Sequence, residues 1–345
     1  MVLTGKITSM RAGAATMFTA AELEPLRAQS DWRGVALVAH AWGTIAGAMA
    51  LAAAIPHPAM YALCIMIIGG RQLGLAILMH DAAHRALAKS PWLNDALGQW
   101  FCAWPVAADL HGYRSYHLQH HRRTQQPDDP DLSLSAPFPI SRRSLARKII
   151  RDLTGQTTFK QRSAQLRAAL GKPEWPLSQR LSQFRQRLGG PLAVNAVLLV
   201  ACTAAGRPDI YVLLWVVPFF TWLPLITRLR NIAEHAVVPD NDDPLRNART
   251  THANWFMRAV LAPYWVNYHV EHHLYMWVPC HQLPRLHRML LDKGLGPKME
   301  FQPDYLTVLK MATSGGRRAL PPLPANDTTE ALSFNSSLRV GEART

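Results

Sequence analysis

Three stretches of this chain carry no Asp, Glu, Lys or Arg: Gly34–Gly70, Leu188–Gly206 and Ile210–Thr227. Hydrocarbon offers the backbone no hydrogen-bond partners, so apolar runs of about 18 residues or more read as membrane-spanning helices. The first run is long enough for two, and Pro56-His57-Pro58 breaks it with a tight turn. The expected spans are therefore 35–55, 59–79, 188–206 and 210–227, joined in pairs as two hairpins. The first span is rich in Ala and Gly, which favours close helix packing in lipid.

Charge fixes the orientation. The net charge of +14 comes from 37 Lys and Arg against 23 Asp and Glu. The basic residues border the apolar runs and do not build a soluble basic domain with interleaved aromatics, so nucleic acid is not an expected partner. Between Met79 and Leu188 there are seventeen Lys and Arg against eight Asp and Glu. The opposite turns, 56–58 and 207–209, hold only Arg207 and Asp209. The positive-inside rule then puts the large loop and both termini on the cytosolic side of a multi-pass membrane protein. Met1–Arg33 has no continuous apolar core after Lys6 and Arg11, so no cleavable signal is expected, only a polar segment with a short helix near Ala20–Gln29. The four cysteines are far apart and form no CxxC, which excludes a zinc ribbon or disulfide framework.

Within the second span, Arg71 lies nine residues before His80, about 13 Å along a helix. A cation that deep should face protein, water or a partner. Ala86–Leu110, with Trp92, Trp100 and Trp104, reads as an interfacial helix with a possible re-entrant path. Arg122–Arg187 reads as a basic polar loop, Arg285–Lys293 as a helix, and the Gly-, Pro- and Ser-rich end from Ser314 as disordered.

Histidines mark the chemistry. His80 and His84 form HxxxH; His117, His120 and His121 form HxxHH, as do His269, His272 and His273. Offsets of three and four share one helical face, so both rings can reach one point. His235 is a ninth candidate, one turn after Asn231. By the topology above all nine lie on one side, where spans leave the membrane. Neutral imidazole suits iron, zinc and copper. Nine are too many for one mononuclear zinc or a simple haem, and fit two metal ions. Asp128, Asp129, Asp131, Glu234 and Glu271 are candidates to orient ligating imidazoles. His40, His57, His111, His252, His281 and His287 read as structural.

Taken together, these boxes resemble the membrane fatty acid desaturase family. So do Asp128-Asp129-Pro130-Asp131, Asn231-Ile232-Ala233-Glu234-His235 and Tyr268-His269-Val270-Glu271-His272-His273, over about residues 34–290. The resemblance implies an all-α integral membrane fold: four transmembrane helices in two hairpins, with a cytosolic helical cap carrying the histidine boxes. Residues 1–33 would be a cytosolic N-terminal segment, 34–290 the desaturase domain and 291–345 a cytosolic tail. It also implies a non-haem diiron centre with the nine histidines as iron ligands, Asn231 holding a water near one iron, and O2 as co-substrate. A fused cytochrome domain, which some relatives carry, is not expected from this sequence.

The expected reaction is insertion of a double bond into a fatty acyl or lipid chain. A lipid or carotenoid hydroxylase or ketolase would use the same centre, so the ligand pattern leaves that alternative open. A metal transporter would place ligands along a pathway near the midplane, and these cluster at one face. No GxGxxG fingerprint or iron–sulfur cysteine set is present, so electrons would come from an external ferredoxin-like or cytochrome-type donor. The basic stretch 142–187 could receive an acidic donor, although positive-inside topology explains it equally.

Overall fold

The computed structural model describes residues 17–314. The chain is mostly helical, and four helices are long and apolar enough to cross a membrane: Asp31–Ala54, Pro58–Ala83, Leu177–Ala204 and Pro208–His235. Each extends beyond its uncharged run, because polar turns at the ends continue the helix. The expected disorder after Ser314 lies outside the described residues.

α1 (Asp31–Ala54) starts at Ser30, whose side chain accepts from the Arg33 amide. Its buried positions are Gly34, Val38, Ala41, Ile45, Ala48 and Ala52. That spacing of three and four is one helical stripe, and its small residues let α1 lie close along the next helix.

α2 (Pro58–Ala83) is capped by His57, whose ring accepts from Ala59 N at 3.2 Å, with Pro58 in the first turn. Every residue from Ile68 to Ala83 is buried, so α2 is the central post of the fold. Close approach demands glycine here. A Cβ on Gly69 would stand 2.6 Å from Trp222, and one on Gly70 would stand 2.8 Å from the Ala259 carbonyl. Arg71 faces protein, as its depth requires: Nη2 donates to Ala259 O at 2.7 Å and to Arg258 O at 3.3 Å.

The segment read as one interfacial helix is instead α3 (Pro91–Ala96), a π-helical stretch over Leu97–Ala103 and a short 3-10 turn, Trp104–Val106. It packs on α2 and ends at Ala107, in the left-handed region at φ 55°. α4 (Leu110–Arg123) follows, capped by Asp109, which accepts from Gly112 N at 2.8 Å. The stretch expected as a basic loop contains α5 (Arg142–Leu153) and α6 (Gln156–Ala169). Arg142, Arg143, Arg147, Arg151, Lys160 and Arg167 are exposed, while Leu145, Asp152, Thr158 and Ala169 point inward.

α7 (Leu177–Ala204) is the most peripheral span, with only Leu188 and Pro191 buried. The fourth span is not one regular helix. It has a π-helical stretch at Val212–Val216 and a break at Thr221 before α8 (Trp222–His235). α8 carries the chain past the end of its apolar run to His235.

The remaining elements close over that end. Two-residue strands β1 (Thr250–Thr251) and β2 (Phe301–Gln302) pair in parallel, a small departure from the all-α expectation. Arg249, fully buried, anchors them through Glu300 at 2.9 Å. α9 (Trp255–Val260) lies against α2, α10 (His269–Leu274) carries the last histidine box, and α11 (Leu283–Asp292) covers it. α12 (Tyr305–Ala312), inside the expected tail, buries Tyr305, Val308 and Ala312 and packs on α8.

Candidate metal centre

His80 sits in the last turn of α2 and His84 at its C-cap. Ending a helix there frees carbonyls that must be satisfied. Asn94 Nδ2 donates to Ala82 O at 2.9 Å, and Arg114 donates to Ala82 O and Ala83 O at 3.0 Å each. Arg114 is itself held by Asp95 at 2.6 Å. One turn later on α4 come His117, His120 and His121. His235 is the last residue of α8, and His269, His272 and His273 lie on α10.

The structure brings all nine side chains together. His80, His84, His117, His121 and His272 form one group with ligand atoms within 4.8 Å of one another. His120, His235 and His273 form a second, and His235 and His269 group with Glu234 beside it. Nε2 of His121 lies 2.9 Å from that of His117 and 3.0 Å from that of His272. In the other group, Nε2 of His269 lies 2.8 Å from His235 and 3.1 Å from His273. The two groups adjoin where the His121 and His273 ring centroids approach to 4.3 Å.

These atoms suit metal and little else. Both ring nitrogens of His80 and of His84 are buried with no hydrogen-bond partner among the described residues. A buried unpaired polar atom costs about 1–3 kcal/mol, a cost that coordination removes. Separations near 3 Å between converging Nε2 atoms are what metal–nitrogen bonds of about 2.0–2.1 Å produce. Burial pushes His84, His117, His121, His269, His272 and His273 well below the ordinary imidazole value. They are therefore neutral, the form that binds metal.

His120 differs. Burial alone would lower it, but the Asp129 hydrogen bond and the charge of Asp131 outweigh burial and raise it. Asp129 Oδ1 is 2.8 Å from His120 Nδ1, and its two oxygens also accept from the Gln125 and Asp131 amides at 2.8 Å. Asp131 is 3.8 Å from the same nitrogen and accepts from the Tyr116 hydroxyl.

The other candidate carboxylates go elsewhere in part. Exposed Asp128 pairs with half-buried Arg123 at 2.6 Å. Glu234 binds Arg230 at 2.6 Å and stands 3.6 Å from His269 Nε2. Glu271 turns away from the imidazole groups to His287 Nδ1 and to the Thr250 hydroxyl, 2.5 Å away. Sequence reasoning missed Asn94, Arg114, Thr250 and His287. It also missed Thr124, whose hydroxyl lies 3.3 Å from His273 Nδ1. No spacing signal marks any of them.

Beside the centre lies a cavity of about 310 Å³. Ala76, Tyr113, Tyr116, Arg230, Asn231 and Ile232 form the part of its wall nearest the histidines in sequence. The Tyr113 ring stacks on His117 at 5.1 Å, which puts this wall directly against the centre. Val106, Phe138, Phe219 and Leu223 supply apolar surface.

Comparison with known proteins gives a consistent picture. The model for "Fatty acid desaturase" matches residues 56–302. The dihydrorhizobitoxine desaturase of Bradyrhizobium elkanii is 27% identical over 227 residues, 64% of each chain. The beta-carotene ketolase of Paracoccus sp. (strain PC1) is 25% identical over 246 residues, 66% of this chain and 80% of its own. An sn-1 oleoyl-lipid 12-desaturase of Synechocystis sp. (strain ATCC 27184 / PCC 6803 / Kazusa) is 25% identical over 245 residues, 65% of this chain and 66% of its own. The match thus covers less than two thirds of the first and last of these relatives.

Proposed function

This chain belongs to the fatty acid desaturase family, and we propose that it is a membrane oxidoreductase introducing a double bond into a fatty acyl or lipid chain. The observation that carries this reading is the pair of adjoining imidazole groups against a partly apolar cavity. His80, His84, His117, His121 and His272 would hold one iron, and His120, His235, His269 and His273 the other. The two irons would supply O2 activation for removing hydrogen from an unactivated C–H bond. Removing two hydrogens from adjacent carbons, with two electrons and two protons from outside, reduces one O2 to two waters.

The protein's own part is positioning and exclusion. The cavity orients a chain segment past Tyr113 and Asn231 toward the imidazoles. Asn231 holds a water at that wall. Asp129 fixes the His120 ring, and the hydrogen-bonded end of α2 and start of α4 position the histidines those helices carry. The four apolar helices form two hairpins. The centre and both terminal segments face the cytosol, on the strength of the basic residues between Met79 and Leu188. Electrons come from a separate ferredoxin-like or cytochrome-type donor on that face.

The likeness to a ketolase supports a second reading, oxygen insertion into a lipid or carotenoid at the same centre. Lipid and carotenoid profiling of cells with and without the chain separates the two. A new double bond supports desaturation; a new alcohol or ketone supports the alternative. Purified protein should contain about two irons per chain, and zinc as the sole metal would contradict the reading.

A further inference from the structure

The same cavity carries a charge that its neighbours do not cancel. Four cations line it: Lys148, Arg162, Arg228 and Arg230. Arg228 is held by Asp152 at 2.5 and 2.8 Å, and Arg230 by Glu234 at 2.6 Å. Among the described residues, no carboxylate lies within 4.0 Å of Lys148 or Arg162, and Asp131 is the one acidic side chain in the lining.

Arg162 is held in a fixed pose. Its Nη1 donates to Ala107 O at 3.0 Å and to Gln165 Oε1 at 2.7 Å, and Gln165 Nε2 donates to the same Ala107 carbonyl at 3.1 Å. The left-handed backbone at Ala107 presents that carbonyl. The Phe219 ring lies 5.5 Å from the guanidinium carbon, a cation–π contact. All of this engages one nitrogen and one face. Among the described residues Nε has no partner and is shut off from solvent, and no hydrogen bond leaves Nη2. Burial pulls the guanidinium down to about 10, so it remains charged at neutral pH. An unpaired charge in such a setting is costly unless something completes it.

With Nε closed off, Nη2 is the unoccupied donor left to the cavity, and a carboxylate accepting from it makes a charge-assisted hydrogen bond. We propose that the cavity takes an aliphatic acid whose carboxylate accepts from Nη2 of Arg162, with Lys148 supplying a second positive charge. The inference rests on the desaturase reading for the cavity's role and narrows the substrate class to chains ending in a carboxylate. It counts against a carotenoid hydrocarbon, which has no group to complete Arg162.

The test is binding, read without turnover. The full chain in lipid nanodiscs, iron-loaded and metal-stripped, is titrated with dodecanoate, dodecan-1-ol and dodecyl phosphate, with empty discs subtracted for partitioning. Dodecanoate should bind at least about tenfold tighter than the alcohol, the worth of a charge-assisted hydrogen bond, and no more weakly than the phosphate. Arg162→Met should lose that preference while still binding the alcohol. Arg162→Lys, which keeps the charge and loses Nη2, should retain only part of it. Equal affinity for acid and alcohol in the wild type overturns the proposal, whether or not the variants fold. So does tenfold preference for the phosphate, or an acid preference surviving in Arg162→Met. Acid binding without O2-dependent oxidation would sink the desaturase reading and leave the carboxylate site. Oxidation of neutral chains with no acid preference would do the reverse.

Discussion

Asp129 holds Nδ1 of His120 at 2.8 Å while two backbone amides hold Asp129. The carboxylate thus fixes which ring nitrogen faces the centre. Outer partners of metal-ligating histidines typically carry 10–100-fold in metal affinity or activity. Asp129→Asn keeps the shape and removes the charge. Iron content after purification and turnover per iron should fall by about that range; unchanged values in both would show that the contact is incidental.

His272 is the member of the five-imidazole group that α10 contributes. His272→Ala should insert into the membrane at wild-type levels and show no oxidation. Retained oxidation would remove it from the ligand set.

Gly69 sits where any Cβ meets the Trp222 ring at 2.6 Å. Gly69→Ala must push Trp222 aside, and overpacking of this kind costs about 1–3 kcal/mol. The midpoint of thermal unfolding in detergent should drop. An unchanged midpoint would mean that the α2–α8 contact yields freely.

Arg71 caps carbonyls at the end of α9. Arg71→Leu leaves Ala259 O without its donor, at a cost of about 1–3 kcal/mol. Iron content should hold while thermal stability falls; loss of iron with intact stability would place Arg71 in the centre's support instead.

Acid should weaken the metal-stripped protein. His84, His117, His121, His269, His272 and His273 are lowered by burial from the ordinary 6.5. The unfolded chain therefore takes up protons first, and stability is lost as pH falls below about 6.5. His120 is raised despite its burial, chiefly by Asp129, and opposes this: its contribution is present in acid and lost as pH rises through its folded value. Six groups outweigh one, so the unfolding midpoint should decrease from pH 7 to pH 5. A rise would reverse the assigned shifts.

The spans and histidine boxes were legible because each is a local pattern. An uncharged run and an i, i+3, i+4 spacing need no knowledge of the rest of the chain. The supports were not. Asn94 and Arg114 matter only because α2 ends beside α4. His287 looked structural, and its carboxylate partner Glu271 looked like an orienting partner for the ligating imidazoles; the packing of α11 on α10 pairs the two instead. α5 and α6 hid behind their charge, since a basic outer face resembles a polar loop until its inward residues find α8. Arg162 gave no signal at all, because an arginine in a basic stretch is exceptional only once its neighbours are known to lack a counter-ion.

The division of the nine histidines between segments has a consequence for biosynthesis. The five-imidazole group draws four members from residues 80–121 and waits for His272; the other draws His120 early and waits for His235, His269 and His273. Neither is complete until the ribosome has passed residue 273. A nascent chain therefore leaves its early imidazoles open to any passing ion for much of synthesis. If the groups hold the irons proposed above, the late segment, by closing both groups together, would set the moment at which the choice of metal becomes final.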